Sequence, residues 1–338
     1  MTNDKNIKQV IVADIGGTNA RFAVATMALG SKPTTAPRLI EHYAGYSCAD
    51  FHDPLSLVQA YIKDCPVKDI TTACFAVAGP ADGTSAYLTN LGWNFDAVKL
   101  SSQLVLKNIT VANDFAALAR SITALDPSKA VPLHQPATPA GRGPISVMGP
   151  GTGFGVAQIV RKNNQVTVIP TEGGHSAFVP AGMLETKVWN MVRSSMGRIS
   201  VETLLSGIGI LRIYRAVCSL NDLTPLNYEP STISQLAMEE NDPTCVATLN
   251  VFCTMLGGVA SDIAMTQGST GGVYLGGGIL PKIANFVQNS AIVKSYLDKP
   301  PMEKYVAQIP LNLIVDPEAA LVGAALLAED AISENRGF

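Results

Sequence analysis

Two glycine-rich turns, Asp14-Ile15-Gly16-Gly17-Thr18-Asn19 and Gly149-Pro150-Gly151-Thr152-Gly153-Phe154-Gly155, have the composition of a phosphate-holding device used twice. Glycines carry no Cβ atoms, so backbone N–H groups can converge on an anion, and a threonine hydroxyl adds a donor. Each turn joins two apolar runs, Val10–Ala13 to Phe22–Ala25 and Ile145–Met148 to Val156–Val160, and so reads as strand, tight turn, strand. Many glycine hairpins only reverse the chain. The aspartate before the first glycines and the threonine in both turns favour ligand binding, because a hairpin requires neither. A dinucleotide fingerprint is excluded: neither turn fits G-x-G-x-x-G, and neither opens directly into a helix.

Transfer from a polyphosphate needs a cation and a proton acceptor, which directs attention to the carboxylates. Asp14 ends the first strand, where it is placed to hold hydrated Mg2+ through water; its plain structural alternative is an Asx-type turn residue. Asp114, in Val111-Ala112-Asn113-Asp114-Phe115, sits at a strand-to-helix junction, where open α/β sheets bind ligands. It suits a base that accepts a hydroxyl proton during phosphoryl transfer, and it equally suits a cap on the helix after it. In Thr171-Glu172-Gly173-Gly174-His175 the paired glycines let Glu172 and His175 turn toward one small polar ligand and grip adjacent hydroxyls as acceptor and donor. Glu202 follows a candidate N-cap, Ser200, and is favourable at a helix N-terminus on electrostatic grounds alone.

Positioning these residues requires alternating elements. The patterning predicts strands at 9–14, 21–26 and about 38–43, a helix at 54–64 after the Asp53-Pro54 cap pair, and a strand at 72–78. A helix over 115–125 follows the Asn113-Asp114 junction. Pro127, Pro132, Pro136, Pro139 and Pro144 then interrupt 126–144, which reads as a long connection between domains. Helices are expected at 183–196, 200–218 and 243–266, the last carrying Gly257-Gly258, which costs little only where another backbone packs closely. A strand ends in Gly276-Gly277-Gly278, and a final helix runs from Asp316-Pro317 to about 333 with Ala320, Gly323 and Ala324 as a small-residue face. The pattern is α/β with mixed sheets, and the repeated turn suggests that the halves share a topology. The expected domains are a small one, 1–125 plus 317–338, and a large one, 126–316.

Composition bounds the rest. The chain has 338 residues, 47% hydrophobic and 15% charged, enough for two cored domains and against long disorder. A net charge of −3 without a Lys/Arg cluster argues against nucleic acid or an anionic membrane as partner. The polar start leaves no room for a signal peptide, and the most apolar stretch, Ala319–Ala328, is shorter than the ~20 residues of a spanning helix, so a cytoplasmic protein is expected. The 6 cysteines are scattered without C-x-x-C spacing, and only 4 histidines are present, which predicts reduced buried thiols rather than zinc or disulfides.

Six motifs in this order resemble the bacterial glucokinases: Val12-Ala13-Asp14-Ile15-Gly16-Gly17-Thr18-Asn19-Ala20-Arg21, Val111–Phe115, Gly151-Thr152-Gly153, Glu172-Gly173-Gly174-His175, Ser200-Val201-Glu202 with Ser206-Gly207, and Gly276–Ile279. The resemblance spans nearly the whole chain. It implies two ribonuclease H-like (actin-like ATPase) α/β domains with an interdomain active-site cleft that closes on sugar. It further implies Asp114 as the base toward the sugar 6-hydroxyl, with Asn113 beside it, and Glu172, His175 and Glu202 on the remaining hydroxyls. Ala13, Asp14, Ile15, Gly16, Gly17 and Thr18 would form one phosphate loop, Gly151, Thr152 and Gly153 the second, and Gly276, Gly277 and Gly278 would flank adenosine. Asn90, in Leu88-Thr89-Asn90-Leu91-Gly92-Trp93, resembles a further sugar contact.

The related repressor and sugar-kinase group carries a cysteine-rich zinc motif soon after its Glu-x-Gly-His cluster, whereas here no cysteine follows His175 until Cys218. The chain therefore resembles the zinc-free branch. The implied reaction is ATP-dependent, Mg2+-assisted phosphorylation of glucose by a homodimer. A broader hexose kinase acting on mannose, fructose or glucosamine, and a sugar-sensing regulator without catalysis, are the alternatives.

Overall fold

Strand pairing follows the apolar runs. In the computed structural model, which describes residues 7–28, 39–138, 141–163, 165–240 and 242–334, β1 (Ile7–Ile15) and β2 (Asn19–Ala28) form an antiparallel hairpin around the first glycine turn. β3 (Leu39–Ser47) pairs antiparallel with β2, and β4 (Thr72–Val77) lies parallel to β1. The short strands β5 (Ser85–Leu88) and β6 (Trp93–Asp96) form a separate antiparallel two-stranded sheet, and β7 (Asn108–Asn113) lies parallel to β4. The resulting order is β3-β2-β1-β4-β7.

The second half repeats this scheme. β8 (Ala130–His134), β9 (Ile145–Pro150), β10 (Phe154–Lys162), β11 (Gln165–Thr171), β12 (Gly272–Leu275) and β13 (Leu311–Ile314) form a sheet of order β11-β10-β9-β12-β13-β8. β9 is antiparallel to β10 and parallel to β12, which is parallel to β13, the same senses as β1 with β2 and β4, and β4 with β7. The chain divides into two compact units: unit 1 comprises Met1–Pro127, Lys162–Pro170 and Asp316–Phe338, and unit 2 comprises Ser128–Arg161 and Thr171–Val315.

In unit 1 both faces of the sheet are buried, which is why β1 reads as a continuous apolar run. Ile11, Ala13 and Ile15 share a core with Leu57, Val58 and Tyr61 of the helix Pro54–Asp64, while Val10 and Val12 pack with Ala117 and with Leu321, Ala324 and Ala328 of the helix Ala319–Glu334. In unit 2 the strands share a core with the helices Met183–Met196, Gly207–Leu220 and Pro243–Gln267. The expected close approach at Gly257 is present: a Cβ there would meet the Ile292 carbonyl oxygen at 2.2 Å.

Four expectations are corrected. The proline-rich segment contains strand β8, and Pro132 is tolerated because β8 is an edge strand. The helix expected over 200–218 is two, Val201–Leu204 and Gly207–Leu220, because Ser206 accepts the Gly209 N–H and starts a new helix. The helix at the Asn113-Asp114 junction ends at Ser121 rather than at 125. Ala319–Ala328 is not the segment to weigh for spanning length: the 25-residue helix Pro243–Gln267 is long and apolar enough to cross a membrane by length and composition, and 67% of its apolar window is buried inside the protein. The hydroxyls and glycines within that helix mask its length as an apolar segment; burial in the unit 2 core accounts for its composition.

Candidate active site

In unit 1 the first glycine turn and the Asn113-Asp114 junction lie at one edge of the sheet. Register places Ile15, Val77 and Asn113 level at the ends of β1, β4 and β7. The turn is held by Gly16 N–H donating to the Asn19 carbonyl at 2.9 Å, Ala78 N–H to the Ile15 carbonyl at 2.9 Å, and Cys48 N–H to the Thr18 carbonyl at 2.8 Å. Asp14 pairs with Arg21, its partner in the β1–β2 register. Asn90, in the exposed turn between β5 and β6, comes to the same place: a Cβ on Gly17 would lie 3.0 Å from its Nδ2.

The structure divides the two residues of the junction by role. Asn113 is the helix N-cap, its Oδ1 accepting the Ala116 N–H at 3.0 Å while its Nδ2 donates to the Gly79 carbonyl at 3.0 Å. Asp114 is the first helical residue, half-buried, with its Oδ1 accepting the Phe115 N–H at 2.8 Å. The capping alternative for Asp114 therefore passes to Asn113, and its carboxylate stands at the N-terminus of the helix Asp114–Ser121, where negative charge is favoured.

In unit 2 the second glycine turn is built against two other segments. Met148 and Leu275 are in register, and Gly276 N–H donates to the Met148 carbonyl at 2.9 Å, which brings Gly276–Gly278 to the turn. The backbones approach so closely that a Cβ on Gly149 would sit 2.0 Å from the Gly276 carbonyl oxygen. On another side, Gly207 N–H, in the first turn of the helix Gly207–Leu220, donates to the Gly151 carbonyl at 3.0 Å.

The hydroxyl-binding candidates meet beside this turn. Glu202 Oε2 accepts the Phe154 N–H at 2.8 Å, and its Oε1 lies 3.9 Å from His175 Nδ1, while His175 Nε2 lies 3.7 Å from Glu172 Oε2. The side chains of Glu172, His175 and Glu202 are 57%, 61% and 34% exposed, so all three can meet a ligand. Ser200 caps the helix that carries Glu202, and Arg212 donates to the Thr203 carbonyl at 2.9 Å beneath it. Burial lowers the Arg212 pKa, and the Glu202 carboxylate pulls it back up. Two carboxylates flanking an imidazole suit a neutral polyhydroxyl ligand, which needs both acceptors and donors.

Unit 1 thus gathers Ala13 to Thr18 with Asn90 near the edge that carries Asn113 and Asp114. Unit 2 gathers Gly151 to Gly153, Gly276 to Gly278, Glu172, His175 and Glu202. Two contributors were missed from the sequence. Arg21 faces Asp14 across the hairpin, a pairing readable once the turn is accepted; the Phe154 N–H contact with Glu202 joins residues 48 apart and had no local signal. Among the described residues no group of three or more His, Cys, Asp or Glu is arranged to hold a metal ion.

Comparisons with known proteins agree across nearly the whole chain. The glucokinase family profile matches residues 11–331. A glucokinase of Saccharophagus degradans is 37% identical over 315 residues, covering 93% of this chain and 96% of its own. The crystal structure of a glucokinase from an Antarctic psychrotroph superposes with a TM-score of 0.80 at 35% identity, covering 96% of this chain and 99% of that one. A ROK family glucokinase from Streptomyces griseus, solved with glucose and AMPPNP, shares the fold at a TM-score of 0.66 and 19% identity, covering 95% and 99%.

Proposed function

The chain belongs to the glucokinase family, and from that premise we propose which residues do the work. The protein is a kinase that uses ATP to phosphorylate glucose, giving glucose 6-phosphate. The observation that carries the site assignment is the meeting of Glu172, His175 and Glu202 beside the Gly151–Gly153 turn.

In this reading Glu172, His175 and Glu202 bind the sugar hydroxyls, with Asn90 and Asn113 as further contacts. Asp114 accepts the proton of the 6-hydroxyl as that oxygen attacks the γ-phosphorus. The new O–P bond forms in line with the breaking one, and ADP leaves with the electron pair. The backbone amides of Gly16, Gly17 and Thr18, and of Gly151, Thr152 and Gly153, hold the phosphates, while Gly276, Gly277 and Gly278 flank adenosine. These roles fall on both units, so the reaction requires unit 1 and unit 2 to act on one sugar, and excluding water protects the phosphoryl group from hydrolysis.

Asp14 fits magnesium. A single carboxylate at a phosphate-binding turn matches an ion that keeps most of its water and takes one or two carboxylates with phosphate oxygens, and no multidentate protein cage occurs among the described residues. The ion would neutralise charge on the phosphates; Asp14 would hold it through water.

The matching strand orders of the sheets support a ribonuclease H-like core in each unit, with a small domain of 1–125 plus 317–338 and a large one of 126–316. A homodimer acting in the cytoplasm, without nucleic acid or membrane as partner, completes the reading. A coupled assay over glucose, mannose, fructose and glucosamine with ATP and other phosphoryl donors tests it. Glucose with ATP should have the highest kcat/KM; comparable values for the other hexoses would make the enzyme a broader hexose kinase. Sugar binding without ATP consumption would make it a sensor.

A further inference from the structure

Arg21 belongs to none of the roles assigned above, yet its guanidinium joins two parts of the nucleotide end of unit 1. Nη2 pairs with Asp14 Oδ2, and Nη1 donates to the Pro317 carbonyl at 2.8 Å. Asp14 and Arg21 are direct partners in the β1–β2 register, so the pairing is imposed by the hairpin that forms the first glycine turn. Pro317 stands just before the helix Ala319–Glu334, whose start is fixed by Glu318 N–H donating to Asp316 Oδ1 at 3.0 Å.

The arrangement leaves the carboxylate oriented and half available. Arg21 engages Oδ2, while Asp14 Oδ1 has no partner among the described residues. The Arg21 side chain is 48% exposed and that of Asp14 20%, and an ion pair this open to water adds little to stability. The planar fork reaches Asp14 Oδ2 and the Pro317 carbonyl from two rigidly spaced nitrogens, which ties Oδ2 to a fixed point of the backbone with a geometry that the point charge on a flexible lysine stem does not reproduce. Carboxylates that meet a metal are oriented by such outer partners, whose loss typically costs about 10- to 100-fold in metal affinity or activity.

We infer that Arg21 is the positioning residue of the magnesium–nucleotide site: it anchors Asp14 Oδ2 to the Pro317 carbonyl and so presents Oδ1 to the hydrated ion. The inference rests on the assignment of Asp14 to magnesium. It is independent of Glu172, His175 and Glu202, which lie in unit 2.

Full-length R21M, R21K and D14N tested side by side decide it. Two readouts are needed: the half-saturating magnesium concentration at fixed ATP, and the rise in melting temperature on adding magnesium with AMPPNP, which involves no turnover. R21M should raise the magnesium requirement about 10- to 100-fold and abolish most of the nucleotide-induced rise. R21K should fall between R21M and the wild type, and the rise induced by glucose should persist in both. If D14N keeps the wild-type magnesium requirement, the assignment of Asp14 is wrong. If D14N weakens magnesium while R21M and R21K do not, or if loss of Arg21 tightens magnesium, the inference about Arg21 is overturned and Asp14 keeps its place.

Discussion

Glu202 Oε2 accepts the backbone N–H of Phe154 at 2.8 Å, so a carboxylate assigned to the sugar also holds the strand leaving the second phosphate turn. Its other oxygen faces His175. Sugar recognition and the shape of the phosphate turn therefore share one side chain, and a change at either end is felt at the other.

Gly153 tests this sharing. A Cβ at that position would lie 2.3 Å from Glu202 Oε2, so G153A must displace the carboxylate and leave the Phe154 N–H without its acceptor. An unsatisfied buried donor costs about 1–3 kcal/mol, or roughly 5- to 150-fold in affinity. Steady-state kinetics should show the KM values for glucose and ATP rising together; a rise in only one would separate the two functions.

Glu172 makes no comparable contact with the phosphate turn, so its replacement should be selective. A hydrogen bond to a charged group contributes about 1.5–3 kcal/mol, which predicts a glucose KM about 10- to 150-fold higher in E172Q with the ATP KM within about twofold. Unchanged glucose affinity by calorimetry would remove Glu172 from the sugar site.

The helix that presents Asp114 is fastened at its other end. Arg120, 1% exposed, donates from Nε and Nη2 to the two carboxylate oxygens of Asp330 at 2.7 and 3.0 Å. Removing one partner of a buried pair is costly, and since Asp330 is 32% exposed the cost of D330N is discounted to about 2 kcal/mol. The urea midpoint should fall without a change in m; a midpoint equal to wild type would mean that the pair contributes nothing.

Stability should decline in alkali. Burial pushes the thiols of Cys74 and Cys253 up to about 12, whereas an unfolded thiol ionises near about 8.5. Between those values the unfolded chain has lost protons that the folded chain retains, so this contribution is complete below about pH 8.5 and is lost as pH rises toward about 12. Melting temperature should fall steadily over that window; a flat profile would show that the thiols ionise in place.

Much of this was legible in the sequence, and the limits follow from range. The glycine turns announce themselves because glycine spacing and flanking apolar runs are local. The pattern around Asn113 and Asp114 located the junction but could not assign the cap, since either side chain suits it; only the extended backbone of Asn113, with φ −68° and ψ 143°, decides. β8 was hidden by Pro132, which is compatible with an edge strand but not with a central one. β5 and β6, each 4 residues long, are too short for alternation to register. The convergence of Glu172 and His175 on Glu202 depends on how β10 and the Ser200 cap meet, which no local pattern encodes.

The central claim is that Asp114 takes the proton as phosphate passes from ATP to the glucose 6-hydroxyl. The most direct measurement compares wild type with D114N, following glucose 6-phosphate formation by phosphorus NMR and glucose binding by calorimetry. The account predicts that D114N binds glucose within about twofold of wild type while kcat falls about 10²- to 10⁴-fold, the usual contribution of a general base. A D114N enzyme that keeps most of its turnover would contradict it.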